Sequence, residues 1–398
     1  MRFRFVALAM ITTLTASARS AAQTGSVTAK PVDTSYVNYD EAPLSLPLGI
    51  GFRIPAYNRV DGLVLPWGPT LMLGAERLKM DATVAYRSHL GAFDPRLETK
   101  IQLSKLDEVA IDIGRETFSN DRWIRTDIIN SLTALGVGSD SRNYFRADRG
   151  TAEITHRIVT GSTTWKPYVG VLYEDAWSTG VATWHTNAPW SFFGRTDSLK
   201  MRRPNPAILE GHTTSGLAGV GVEYEEADVK ANMSMRIEHA FDSPTLVASD
   251  DGGQFTQATL GSKASFPTFG TQHFDFRAHA VLGFGDAAPP QRFAYLGGAG
   301  TLATVDLLAL GGNRLLYVEG EYSVPLPRPA LPFVGAPVVS LRYAAGAAGV
   351  GELPDLIQNI SVGVGVKLLK AEYHIDPNYR KTSFTHRNAF SLGFSLSL

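Results

Sequence analysis

The last eleven residues, Asn388 to Leu398, set Phe390, Leu392, Phe394, Leu396 and Leu398 on one face of an extended chain, with Ser391, Gly393, Ser395 and Ser397 on the other. Side chains of a strand alternate faces with period two, so one face here is wholly apolar and the other small and polar. About ten tilted residues of this kind cross the hydrocarbon core of a bilayer, where a helix needs roughly twenty consecutive apolar residues. The sequence has no such apolar run. A strand survives in lipid only in a closed sheet, because an open edge leaves backbone donors and acceptors unpaired where there is no water. The ending therefore predicts a transmembrane antiparallel β-barrel.

The alternation recurs. Val229, Ala231, Met233, Met235, Ile237 and Phe241 oppose Lys230, Asn232, Ser234, Arg236 and Glu238; Phe274, Phe276, Ala278, Ala280, Leu282 and Phe284 oppose His273, Asp275, Arg277 and His279. Ile360, Val362, Val364, Val366 and Leu368 oppose Ser361, Gly363, Gly365 and Lys367. Long strands with charges confined to the non-lipid face fit a water-filled or hydrogen-bonded barrel interior. Because each strand is only half apolar, mean hydropathy is −0.04 and hides the membrane segments. A net charge of −1 without a basic cluster argues against nucleic-acid partners. The absence of cysteine excludes disulfides, thiol catalysis and cysteine-ligated metal centres.

Two arginines in Met1 to Phe5, an apolar stretch from Val6 to Ala16 and small residues up to Ala22 form the pattern of a secretory signal peptide. The expected organisation is a signal peptide over 1–22, a short periplasmic segment over 23–44 and the barrel over 45–398, in the bacterial outer membrane. Walking back from the C-terminus gives about 16 strands, an even number as single-chain bacterial barrels have. The first, near 45–54 between Pro47 and Pro55, carries the weakest pattern. The long connections 120–150, 178–211, 242–254 and 289–312 then all fall on the extracellular side. Trp123, Ile128, Ile129, Leu132 and Leu135 are spaced for a short helix in the first of these loops.

The run Arg292 to Leu302, R-F-A-Y-L-G-G-A-G-T-L, followed by Gly311-Gly312-Asn313-Arg314 and by Leu316 to Pro327, L-Y-V-E-G-E-Y-S-V-P-L-P, resembles the sixth loop and the next strand of BamA-type barrels, the bacterial surface antigen superfamily. The phrase Tyr57 to Leu63 is similar to one near the barrel start of short members. The resemblance implies that a loop carrying Leu296, Gly297, Gly298, Gly300, Thr301, Leu302, Gly311, Gly312 and Asn313 folds back and plugs the lumen. It also implies a role in outer-membrane assembly, protein or lipid transport, or surface display. Two departures stand out. Where the family's loop has Arg-Gly, this chain has Ala303-Thr304, and where its strand has an Asp, this chain has Ala344. Losing one partner alone would strand a buried charge at a cost of about 3–5 kcal/mol, so the joint loss is coherent and predicts that the loop is held differently. The segment 23–44 is also too short for the family's periplasmic transport-associated modules.

The residues leave a second reading open, a passive pore for small solutes lined by Lys230, Arg236, Glu238, Asp275, Arg277, Lys367 and Glu372. Against it, both signs of charge, including Glu319 and Glu321, lie on adjacent strands, where they can pair and block the lumen. Catalysis is not expected: His156, His239 and Ser262 share the lipid-facing parity but are far apart in sequence. The interior rows Glu372-His374-Asp376 and His273-Asp275-Arg277-His279 have ligand-type residues, but such polar rows are routine inside barrels, so no metal and no cofactor is expected. The expected partners are outer-membrane lipid, the barrel-assembly machinery, which would read Phe390, Leu392, Phe394, Leu396 and Leu398 as an insertion signal, and a separate periplasmic protein.

Overall fold

The computed structural model describes residues 44–398 apart from 48–49, 75–76, 180–189, 193–198, 246–252, 286–287, 327–335, 367–368 and 395–398. The leader and most of the N-terminal segment expected over 1–44 lie outside these residues, as do Lys367, Leu396 and Leu398.

In chain order the strands are β1 (Leu44–Ser45), β2 (Ala56–Asn58), β3 (Gly62–Trp67), β4 (Thr70–Leu73), β5 (Leu78–Arg87), β6 (Ala92–Gln102), β7 (Asp107–Phe118), β8 (Phe145–His156), β9 (Ile158–Thr160), β10 (Thr163–Trp177), β11 (Gly211–Glu226), β12 (Val229–Asp242), β13 (Phe255–Pro267), β14 (His273–Gly285), β15 (Ala294–Leu296), β16 (Leu310–Gly312), β17 (Arg314–Pro325), β18 (Pro337–Gly349), β19 (Ile357–Val366), β20 (Leu369–Ile375) and β21 (Asn388–Phe394). Each wall strand pairs antiparallel with the next, while β15 and β16 form a separate hairpin inside a loop. β1 with β2, β3 with β4, and β8 with β9 are interrupted single wall strands, which gives the expected count of about sixteen. The first is broken where Pro47 and Pro55 withhold backbone donors. Between β3 and β4, Gly68 has φ +156, and a Cβ there would stand 1.9 Å from the Ala82 carbonyl oxygen, so only glycine fits.

Burial is inverted relative to a soluble protein. On the outer face Ile113, Ile154, Val169, Val171, Val362, Val364, Phe390 and Leu392 are all exposed, whereas the inner face buries Glu174, Glu238, Arg342, Asn359, Ser361 and His374. Apolar groups outside and satisfied polar groups inside are what a lipid solvent selects. Strand direction puts the ends that flank the long connections β7–β8, β10–β11, β12–β13 and β14–β17 on one side, and short turns such as 103–106 and 227–228 on the other. The expected loop helix forms over Asp127–Val137 (α1), capped by the Thr126 hydroxyl, and is preceded by a 3-10 turn at Asn120–Trp123. It touches both β2 and β21, and so bridges the two ends of the sheet. There the Ser131 hydroxyl accepts the Tyr57 N–H at 3.0 Å.

Alternation makes a sharp prediction. Val364→Arg puts a charge into lipid and should cost about 2–4 kcal/mol near the midplane. Gly365→Ser, on the inner face where an added Cβ meets nothing closer than 3.6 Å, should be nearly neutral. Unfolding in lipid vesicles measures both; equal effects would contradict the assignment of faces.

Candidate functional site

Two loops fill the lumen. The loop after β14 makes a tight bend at its tip: the Gly298 N–H reaches the Leu302 carbonyl at 3.0 Å and the Val305 carbonyl at 2.9 Å, and the Thr301 hydroxyl accepts the Gly297 N–H at 2.9 Å. Gly297 and Gly298 both have positive φ, and a Cβ on Gly297 would stand 2.0 Å from the Asp306 carbonyl oxygen, which is why this bend requires glycine. The bend turns Leu296, Leu302 and Val305 into one buried cluster with Leu315, Tyr317, Ala344 and Ala348 of the wall. Of the other motif residues, Gly311 and Gly312 lie in the β15–β16 hairpin, and Asn313 accepts the Gly351 N–H at 2.9 Å.

The tip is anchored by charges of the wall. Glu319 on β17 accepts from Arg277 of β14 at 3.0 Å, from Arg342 of β18 at 2.7 Å, and from the Tyr317 hydroxyl. The same two guanidiniums donate onward to loop carbonyls, Arg277 to Gly300 at 2.8 Å and to Ile124 at 3.0 Å, and Arg342 to Thr301 at 2.6 Å. Arg342 thus serves the carboxylate with Nε and the loop with Nη2, and Arg277 serves the carboxylate and Gly300 with Nη2 and Ile124 with Nη1. Ala344, across the strand pair from Glu319, is buried among loop side chains. Thr304, next to the vacated Arg position, bonds Asn359, whose amide donates to the Thr304 hydroxyl at 2.6 Å. Around Ala344 and Thr304 the loop is thus held by methyl packing and a neutral hydrogen bond, with charge supplied by the wall arginines.

A second anchor holds the base of this loop. Arg292 donates to Glu174 of β10 at 2.7 Å and to Glu238 of β12 at 3.0 Å, and Arg149 shares Glu174 at 2.7 Å. The loop after β7 packs beside it. Trp123 stacks on His279 with ring centroids 4.2 Å apart, and the Asp121 carboxylate accepts the N–H groups of Asn143 at 2.9 Å and Tyr295 at 3.2 Å. Burial pushes the Asp121 carboxyl up to about 7.

Of the expected interior charges, Arg277, Glu319 and Glu238 join these anchors, and Glu321 pairs with Lys370. Asp275 meets only His273, at 3.3 Å, and the nearest acid to Arg236 is Glu153, at 3.8 Å. His156 bonds Asp107 and His239 bonds Thr256, so the outer-face histidines are not brought together with Ser262. Among the described residues no three ligand-type side chains converge on a metal position. Sequence reading missed Arg342, Arg292, Glu174 and Trp123 as site residues. Arg342 had a signal, since it alternates with Ala344 on the strand facing Glu319; the partners of Arg292 lie 118 and 54 residues away and had none.

Glu319→Gln removes the charge that compensates two buried guanidiniums and should destabilise the folded barrel by about 3–5 kcal/mol. Urea unfolding of the vesicle-embedded protein measures it. A loss under about 1 kcal/mol would mean that the cluster behaves as a solvated surface network.

No protein-family model and no curated protein matches this sequence. Among solved structures, the chain is similar to BamA from Haemophilus ducreyi lacking POTRA domains 1-3, with 10% identity and a TM-score of 0.52 over 86% of this chain and 69% of that one. It is also similar to CdiB from Acinetobacter baumannii, with 11% identity and a TM-score of 0.50 over 85% of this chain and 57% of that one. The chain therefore spans little more than half the length of that CdiB chain. Inner loops anchored in an antiparallel barrel of about sixteen strands, together with these likenesses, identify the fold as that of the BamA- and CdiB-type barrels.

Proposed function

We propose that this chain is an outer-membrane barrel of the BamA-like kind that serves assembly, transport or display at the outer membrane, and that it rests in a plugged state. The observation that carries this reading is the double use of Arg277 and Arg342, each of which binds Glu319 and a carbonyl of the loop tip. A permanently open pore has no need for buried charges committed to holding a loop across its lumen. A transport or assembly barrel does need a closed resting state that keeps the membrane tight. The anchor is also reversible in principle, because backbone carbonyls can be exchanged for water or for another chain's backbone at little net cost. Client proteins or lipids would be delivered by a separate periplasmic partner. Outer-membrane placement rests on the fold, the apolar outer face and the N-terminal sequence pattern.

Planar-bilayer recording of the refolded protein, with and without deletion of Gly297 to Leu308, tests the proposal. The plugged reading expects small, flickering currents that become large and steady on deletion. A large steady conductance in the intact protein would favour the passive-pore reading instead.

A further inference from the structure

Beside the plug, between its base and the wall, lies a cavity of about 230 Å³ lined by Arg149, Arg236, Gln257, Thr259, His279 and Arg292, among others. Its hydrogen-bonding capacity is lopsided. The acids are used up: Glu174 accepts from Arg292 on one oxygen and Arg149 on the other, and Glu238 accepts from Arg292 and from Ser215 at 3.0 Å. Polar nitrogens are left over, a guanidinium N–H and an imidazole nitrogen that donates in one of its two tautomers. Among the described residues neither Arg292 Nη2 nor His279 Nε2 has a hydrogen-bond partner, although the two side chains belong to residues only 5% and 7% exposed. Buried polar groups are ordinarily satisfied, and an orphan of this kind implies something that satisfies it. Arg236 adds a guanidinium whose nearest carboxylate, at 3.8 Å, is beyond hydrogen-bond length.

We propose that this cavity is a binding site for a small carboxylate anion, received by the free N–H of Arg292, the His279 ring and the Arg236 guanidinium. Charge-assisted acceptance by a carboxylate matches surplus donors better than a neutral carbonyl does. The volume, against roughly 30 Å³ per water, leaves room for an organic acid of several heavy atoms. Arg236 remains 41% exposed, which gives the site a wet side for entry, while Arg292 ties an occupant directly to the base of the plug. An anion on the free Nη2 adds a third partner to the guanidinium that Glu174 and Glu238 already hold, so occupancy couples to how firmly the loop is held. The site goes beyond the transport reading and does not depend on it.

The test uses the folded full chain in detergent, with acetate as the probe and acetamide as its neutral counterpart at constant ionic strength. Trp123, stacked on His279, reports through its fluorescence, and Trp123→Phe identifies its share of the signal. The expected result is a saturable change with acetate, absent with acetamide and absent in Trp123→Phe. His279→Phe, which keeps an aromatic stack, and Arg236→Met should each weaken it roughly tenfold. Arg236 is half-exposed and outside both loop anchors, so its variant decides the matter if His279→Phe does not fold. No saturable change, an equal response to acetamide, or an Arg236→Met variant that binds like the parent would overturn the proposal. Because the readout is binding rather than current, its failure is distinct from failure of the plugged-barrel reading.

Discussion

Glu319 stands on the inner face of β17 between Arg277 of β14 and Arg342 of β18, and both guanidiniums also donate to a carbonyl of the loop tip. Taking a carboxylate out of water costs several kcal/mol unless it is paired and hydrogen-bonded, and here two guanidiniums and the Tyr317 hydroxyl converge on its Oε2. Removing any member leaves the others uncompensated, so the wall of three strands and the loop are coupled through one carboxylate. The Arg292 anchor repeats the logic with reversed roles, one loop cation held by two wall acids. Together they hold the loop at its tip and at its base.

The alanine at position 344 makes sense in this frame. An aspartate at position 344 would face Glu319 directly across the strand pair and sit within the apolar cluster formed with Leu296 and Leu302, where a carboxylate without a loop arginine would be unpaired. With alanine there, the loop packs methyl against methyl, and Arg342, two residues back on the same face, supplies the polar contact. Charge thus sits on the wall, and it holds the loop through backbone carbonyls. Such an anchor constrains the shape of the loop more than its sequence.

The wall was legible because its signal is local. Strand alternation is written within ten residues, and faces assigned from it agree with exposure along β19 and β21 and in the C-terminal halves of β12 and β14. The first wall strand was the hard one, since its prolines break the ladder. That this loop carries a short helix was also legible, but not where the helix starts or what it packs against. Trp123 belongs to a separate 3-10 turn and points to His279 rather than joining a helical face with Ile128 and Leu132. The site was only half legible. The glycines of the loop motif and the row Asp275-Arg277-His279 could be read as inward, whereas the pairing of Arg277 with Gly300, or of Arg292 with Glu174, depends on how a loop crosses the lumen. No periodicity encodes that.

The central claim is that the segment around Gly298 to Val305 is folded inside the barrel and hydrogen-bonded there, and hydrogen exchange read by mass spectrometry on the vesicle-embedded protein tests it most directly. The account predicts that the amides of Gly298, Thr301 and Val305 exchange slowly, on the timescale of the wall strands β17 and β18. Exchange as fast as that of the exposed connection between β18 and β19 would contradict it.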